Sequence, residues 1–185
     1  MNTQPEPARM TADEFLVWAE MQPDRYELVN GEVFLMAAGR AAHVVAKGAM
    51  FRALADAVEA GNLPCQAMVD GMAVRIDEAT IYEPDVLVRC GKSVPEDALE
   101  ISDPVVVVEV LSPSSKGLDS NAKLDDYFRL QSVRHYLVVN TVTRLVIHYR
   151  RKEDGTITLD RVREGRLGLD PPGMEIDVER VFATR

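Results

Sequence analysis

The chain reads as an α/β (α+β) domain, a mixed β-sheet flanked by α-helices, and three observations predict it. Val105-Val106-Val107-Val108 is a β-branched run without polar alternation, the pattern of a central strand buried on both faces. Helix-like, hairpin-like and strand-like segments alternate along the chain, so both helices and strands must share one core. Two dipeptides, Asn30-Gly31 and Asp70-Gly71, supply the positive φ values of tight turns between strand-like arms.

The elements follow in order. Residues 1–10 form a polar, Pro-bearing lead expected to be disordered, and residues 11–185 a single domain. Thr11-Ala12-Asp13-Glu14 has the capping-box spacing; Phe15, Trp18 and Ala19 then share a helical face, and Pro23 stops the helix. Residues 26–36 read as a hairpin around Asn30-Gly31. From about His43 to Ala60 the spacing is helical, with Val44, Phe51, Leu54 and Val58 on one side and Gly61-Asn62 as the stop. Strand-like segments follow at 65–69, 72–76 and 84–88, with Asp70-Gly71 as a second hairpin turn. An acidic loop, 95–103, leads into the central strand, which Ser112-Pro113-Ser114 breaks. A helix over about 119–130 carries Leu124, Tyr127 and Phe128 at i, i+3, i+4. Residues 135–140, 144–149 and 156–162 are strand-like, and the tail from Pro171 holds one short helical candidate near 178–182.

The chain has 185 residues, 46% of them hydrophobic, enough for one sizeable core. A net charge of -9 argues against a general nucleic-acid binder with a basic field, though not against a local grip on phosphate. Cys65 and Cys90 have no metal-type spacing and read as buried free thiols. The lead lacks the apolar core of a signal peptide, and no apolar run approaches membrane-spanning length. The expectation is a soluble, cytoplasmic protein with no membrane partner.

Two acids stand at the ends of the apolar strands. Glu109 follows the valine run, and Asp85, after Pro84, opens Val86-Leu87-Val88. A carboxylate there is costly unless something positive meets it. Hard oxygen ligands on rigid strand ends suit magnesium, which keeps waters and completes its shell with substrate phosphate. Either acid taken alone also fits a pairing with a surface Arg or Lys. Lys123 lies in the first turn of the following helix, where a cation opposes the macrodipole. From spacing alone it is either an answer to nearby carboxylates or a solvated lysine. The clusters Arg150-Arg151-Lys152 and Arg161, Arg163, Arg166 are interleaved with acids and read as a mixed-charge surface. Gly-rich phosphate loops and G-x-S-x-G elbows are missing from the sequence.

Taken together, Tyr26-Glu27-Leu28-Val29-Asn30-Gly31-Glu32, His43, Pro84-Asp85-Val86, Glu109-Val110-Leu111-Ser112-Pro113-Ser114 and Asp119…Lys123…Tyr127 resemble the Uma family, bacterial restriction-endonuclease-like proteins of the PD-(D/E)XK nuclease superfamily. The resemblance runs from about Thr11 to Phe182. It implies a restriction-endonuclease-like fold, in which Asp85 corresponds to the metal-binding Asp and Glu109 to the acid of the (D/E)XK element. The Val110 carbonyl would be a further metal ligand. The position two residues after Glu109 is Leu111 rather than Lys, and the resemblance implies that Lys123 has taken over that role. Glu27 would be an additional catalytic acid, and His43 and Ser112 would contact substrate.

The function expected is that of a magnesium-dependent endonuclease, with manganese as a substitute, hydrolysing phosphodiester bonds of nucleic acid, DNA foremost. By analogy it would act as a homodimer. Two alternatives stay open: a nuclease-fold module that binds nucleic acid or a partner protein without cleaving, and a metal-dependent hydrolase of smaller phosphoesters. Resemblance of fold alone does not separate them.

Overall fold

The computed structural model describes residues 9–111 and 120–183, with Ser120 and Asn121 described by backbone alone. Helix α1 spans Ala12–Ala19, and Thr11 caps it as expected: its side chain accepts from the Glu14 N–H while Glu14 accepts from the Thr11 N–H. Strands β1 (Tyr26–Val29) and β2 (Glu32–Leu35) form the predicted hairpin, with Asn30 and Gly31 at φ 51° and 83°. Helix α2 runs Ala41–Ala60 and buries Ala46, Lys47, Met50, Leu54 and Val58. Val44, expected on that face, is exposed instead, because the buried stripe starts two residues later. At the end of α2, Gly61 stays right-handed and Asn62 takes the positive φ of 46°.

Six strands, β3 (Cys65–Val69), β6 (Val86–Cys90), β8 (Pro104–Leu111), β9 (His135–Asn140), β10 (Leu145–Arg151) and β11 (Ile157–Val162), form one mixed sheet in the order β11-β10-β9-β8-β6-β3. The valine run lies at its centre, antiparallel to β6 and parallel to β9, with Val106, Val107 and Val108 fully buried. A second sheet, order β2-β1-β5-β4-β7, contains β4 (Ala73–Asp77), β5 (Thr80–Tyr82) and β7 (Glu100–Ile101). Two packed sheets therefore replace the single one expected. Asp70-Gly71 joins strands of different sheets and makes no hairpin, although both residues have positive φ. Strands of two or three residues, such as β7 and β5, are too short to show a period, and β7 lies inside the expected loop.

Even-numbered residues of β8 face α2, the hairpin of β12 (Arg166–Leu169) and β13 (Met174–Asp177), and helix α4 (Val178–Val181). Odd-numbered Val107 faces the second sheet and helix α3 (Ser120–Tyr127), packing with Tyr82, Tyr127 and Tyr136. Helix α1 covers the far side of the second sheet through Ala12 and Phe15 against Leu28 and Ile81. The β12–β13 hairpin is an addition to the expected tail; Gly168 and two adjacent prolines obscure its alternation in the sequence.

Cys65 and Cys90 form a disulfide, contrary to the reading of two free thiols. The register sets them directly opposite each other on antiparallel β3 and β6, where Cβ atoms approach closely. That pairing is invisible until the two strands are known to be neighbours. Among the described residues, no helix is long and apolar enough to cross a membrane.

Candidate active site

Strand alternation sends the Glu109 side chain to the same face as Val107, towards the second sheet, where α3 supplies its partners and β1 brings Glu27 to the same lysine. Lys123 of α3 donates to Glu109 Oε1 at 3.0 Å and to Glu27 Oε1 at 2.8 Å. Its ammonium also lies 4.9 Å from the centre of the Tyr82 ring. One turn further along α3, the Tyr127 hydroxyl donates to Glu109 Oε1 at 3.0 Å. Glu27 is 3% exposed, and it also accepts from the Glu83 N–H at 3.0 Å.

Asp85 sits at the entry to β6, just past the point where Val86 pairs with Val108. Its Oδ2 accepts the Val110 N–H at 2.6 Å, and its Oδ1 lies 2.7 Å from Lys47 Nζ and 3.2 Å from His43 Nε2. His43 and Lys47 are one helical turn apart on α2, so one face of that helix meets the carboxylate. The Nδ1 of His43 is buried without a hydrogen-bond partner among the described residues. Lys47 reaches on to Asp70 at 2.7 Å, Asp70 to Arg25 at 2.8 Å, and Arg25 to Glu83 at 2.8 Å. Two backbone N–H groups, of Glu83 and Val110, complete a closed circuit of charges around the strand ends.

The electrostatics follow from that crowding. Burial pushes the Glu109 carboxyl up to about 7; Lys123 opposes the rise, and the charges of Glu27 and Asp85 add to it. Burial would raise Asp85 as well, but hydrogen bonds from His43, Lys47 and Val110 hold it below its ordinary value. Burial pulls Lys47 and Lys123 down, yet their carboxylate partners outweigh it and both stay above the ordinary lysine value.

Among the described residues, no three His, Cys, Asp or Glu side chains make a ready cation cage. The donor set nonetheless suits a hard divalent ion completed by water and phosphate, which needs only one or two carboxylates. Within the circuit, five carboxylates (Glu27, Asp70, Glu83, Asp85, Glu109) face three cations (Arg25, Lys47, Lys123). With all of them ionised, five less three leaves two negative charges, the charge of one divalent ion. In an antiparallel ladder the N–H and C=O of one residue face the same neighbour. The Val110 carbonyl therefore faces the Asp85 side, beyond the first residue of β6.

Glu27, Glu109 and Lys123 thus meet directly, and Asp85, His43 and the Val110 backbone adjoin them. Ser112 lies outside the described residues. Arg25, Lys47, Asp70, Glu83 and Tyr127 belong to the cluster as well, and none of them stood out as a site residue in the sequence. The only signal for Lys47 was its i+4 spacing from His43.

A family model named Uma2, "Putative restriction endonuclease", matches residues 12–182. The uncharacterized protein slr1290 of Synechocystis sp. is 26% identical over 176 residues, covering 94% of this chain and 92% of that protein. A second uncharacterized Synechocystis protein, sll1609, is 28% identical over 148 residues, 78% of this chain and 82% of its own. The fold is shared with the crystal structure of a putative nuclease belonging to DUF820 from Anabaena variabilis. The TM-score is 0.70 at 15% identity, over 94% of this chain and 97% of that one.

Proposed function

The chain belongs to the Uma2 family of putative restriction endonucleases, and from that premise we propose that it hydrolyses phosphodiester bonds of nucleic acid, DNA foremost, with magnesium or manganese. The observation that carries the proposal is the meeting of Glu27, Glu109 and Lys123 at bonding distance beside Asp85. Asp85, Glu109 and the Val110 carbonyl would hold the metal. The bound ion would supply a Lewis acid for the phosphoryl group and lower the pKa of water.

The protein's own contributions are orientation and proton handling. Lys123, pinned between two carboxylates, fixes the Glu109 head group, and its positive charge would orient an attacking water. Glu27 holds that lysine from the opposite side. Glu109, whose carboxyl burial pushes up to about 7, would have to release its proton to serve as a metal ligand. His43 would contact a substrate phosphate from α2, and Ser112 would do so from the segment after β8. A homodimer would give each strand of a duplex its own site.

The test is a cleavage screen of single- and double-stranded DNA and RNA with magnesium or manganese, comparing wild type with Asp85→Ala and Glu109→Gln. Cleavage by wild type and none by either variant is expected. No cleavage of any substrate by wild type would reject the proposal. A second reading, a module that binds without cleaving, is favoured by one observation: Leu111 stands where the superfamily lysine belongs, and it packs, half-buried, against the core.

A further inference from the structure

Lys47 is the second buried lysine of the circuit, and the family resemblance gives it no role. Its ammonium carries three donors. Two of them reach Asp85 and Asp70, each at 2.7 Å, and the third has no partner among the described residues. Lys123 differs, since two carboxylates and the Tyr82 ring surround it. The two contacts of Lys47 are also unequal. The Asp85 side chain is 8% exposed and tied to the Val110 backbone, whereas that of Asp70 is 41% exposed and already paired with Arg25. Water reaches the Asp70 end of this pairing far more easily than the Asp85 end, so the Asp70 contact is the one that exchanges readily. Asp70 keeps Arg25 when Lys47 leaves it.

We propose that Lys47 is a substrate-contacting lysine that exchanges Asp70 for a non-bridging oxygen of the scissile phosphate. The inference rests on the phosphodiesterase reading above and adds to it a second cation, on the Asp85 side of the site. With Leu111 in the strand position, one lysine from each flanking helix, Lys123 from α3 and Lys47 from α2, serves the two acids. Asp70 acts as the resting partner, holding the ammonium beside Asp85 until a phosphate arrives.

The test is binding of a fluorescent oligonucleotide in calcium across a salt series, over a period in which a gel shows the probe intact. Lys47→Met should bind more weakly and lower the slope of log affinity against log salt by about one, the signature of a lost phosphate contact. Lys47→Arg should recover the slope, and Asp70→Asn, which frees Lys47, should tighten binding. An unchanged slope in Lys47→Met, with tighter manganese binding by calorimetry, would make Lys47 only a counter-ion of Asp85 and overturn the inference alone. Failure of wild type to bind any oligonucleotide would overturn the phosphodiesterase reading along with it. Should Lys47→Met not fold, unchanged or weaker binding by Asp70→Asn overturns the inference.

Discussion

The backbone N–H of Val110 donates to Oδ2 of Asp85 at 2.6 Å, tying the residue after Glu109 to the residue after Pro84. Two strand ends are thereby held at fixed separation by a buried bond rather than by a loop. Asp85→Ala should therefore cost stability as well as metal binding, about 1–3 kcal/mol for leaving that N–H and part of the Lys47 charge unmet. Urea denaturation checks this, and an unchanged midpoint would mean that the bond does not organise the site.

Lys123 should matter more to the fold than any surface cation. Replacing it by Met leaves Glu27 and Glu109 facing each other in a buried setting. The expected loss is about 3–5 kcal/mol. Lys123→Arg keeps the charge and should recover most of the stability. The difference between the two variants in urea separates charge from packing.

Tyr127→Phe removes a donor to the ionised form of Glu109 and nothing else in the circuit. The Glu109 carboxyl should then rise further above about 7, because the charged form loses a hydrogen bond. Manganese affinity measured against pH should move its rising limb to higher pH. An unshifted profile would show that the tyrosine merely packs.

A buried histidine pair predicts acid sensitivity. His135 Nε2–H donates to the Pro171 carbonyl at 2.8 Å, so in the neutral ring Nδ1 accepts from His148 Nε2–H across 2.8 Å. Burial pushes both down to about 4 from 6.5, helped at His135 by the neighbouring ring and at His148 by Arg150. Below pH 6.5 the unfolded chain takes up two protons that the folded protein refuses, so these histidines withdraw stability as pH falls towards 4. Glu109 works the other way. Its folded form binds a proton near 7 and its unfolded form near 4.5, so it adds stability as pH falls through that window. Two protons against one leaves a net loss between about pH 6.5 and 4.5, of at most about 1.4 kcal/mol per unit. His148→Gln should flatten it, as guanidinium midpoints at pH 5 and 6.5 would show.

The disulfide closes a loop between residues 25 apart in sequence. Its reduction should lower stability by about 3.5 kcal/mol in the chain-entropy account. Thiol titration of the unfolded, unreduced protein should find no free thiol, and two would contradict the pairing.

Features whose physics is local were legible in the sequence. The Thr11–Glu14 cap, the Asn30-Gly31 turn, strand 135–140 and the central valine strand all stand where spacing puts them. Asp85 and Glu109 were legible too, because an acid against an apolar strand demands a partner. Features that depend on long-range pairing were hidden. Lys47 looks like any helical lysine until Asp70 and Asp85 close around it, and the two cysteines become partners only through the β3–β6 register. Division into two sheets was hidden for the same reason, since Asp70-Gly71 gives a turn conformation without saying which strands it joins.

The metal site at the two strand ends is tested most directly by a calorimetric titration of manganese into wild type and Asp85→Ala, with folding of both checked by circular dichroism. Wild type should bind one ion per chain and the folded variant none. Equal binding by both would place the metal away from the two strand ends and contradict the proposed site.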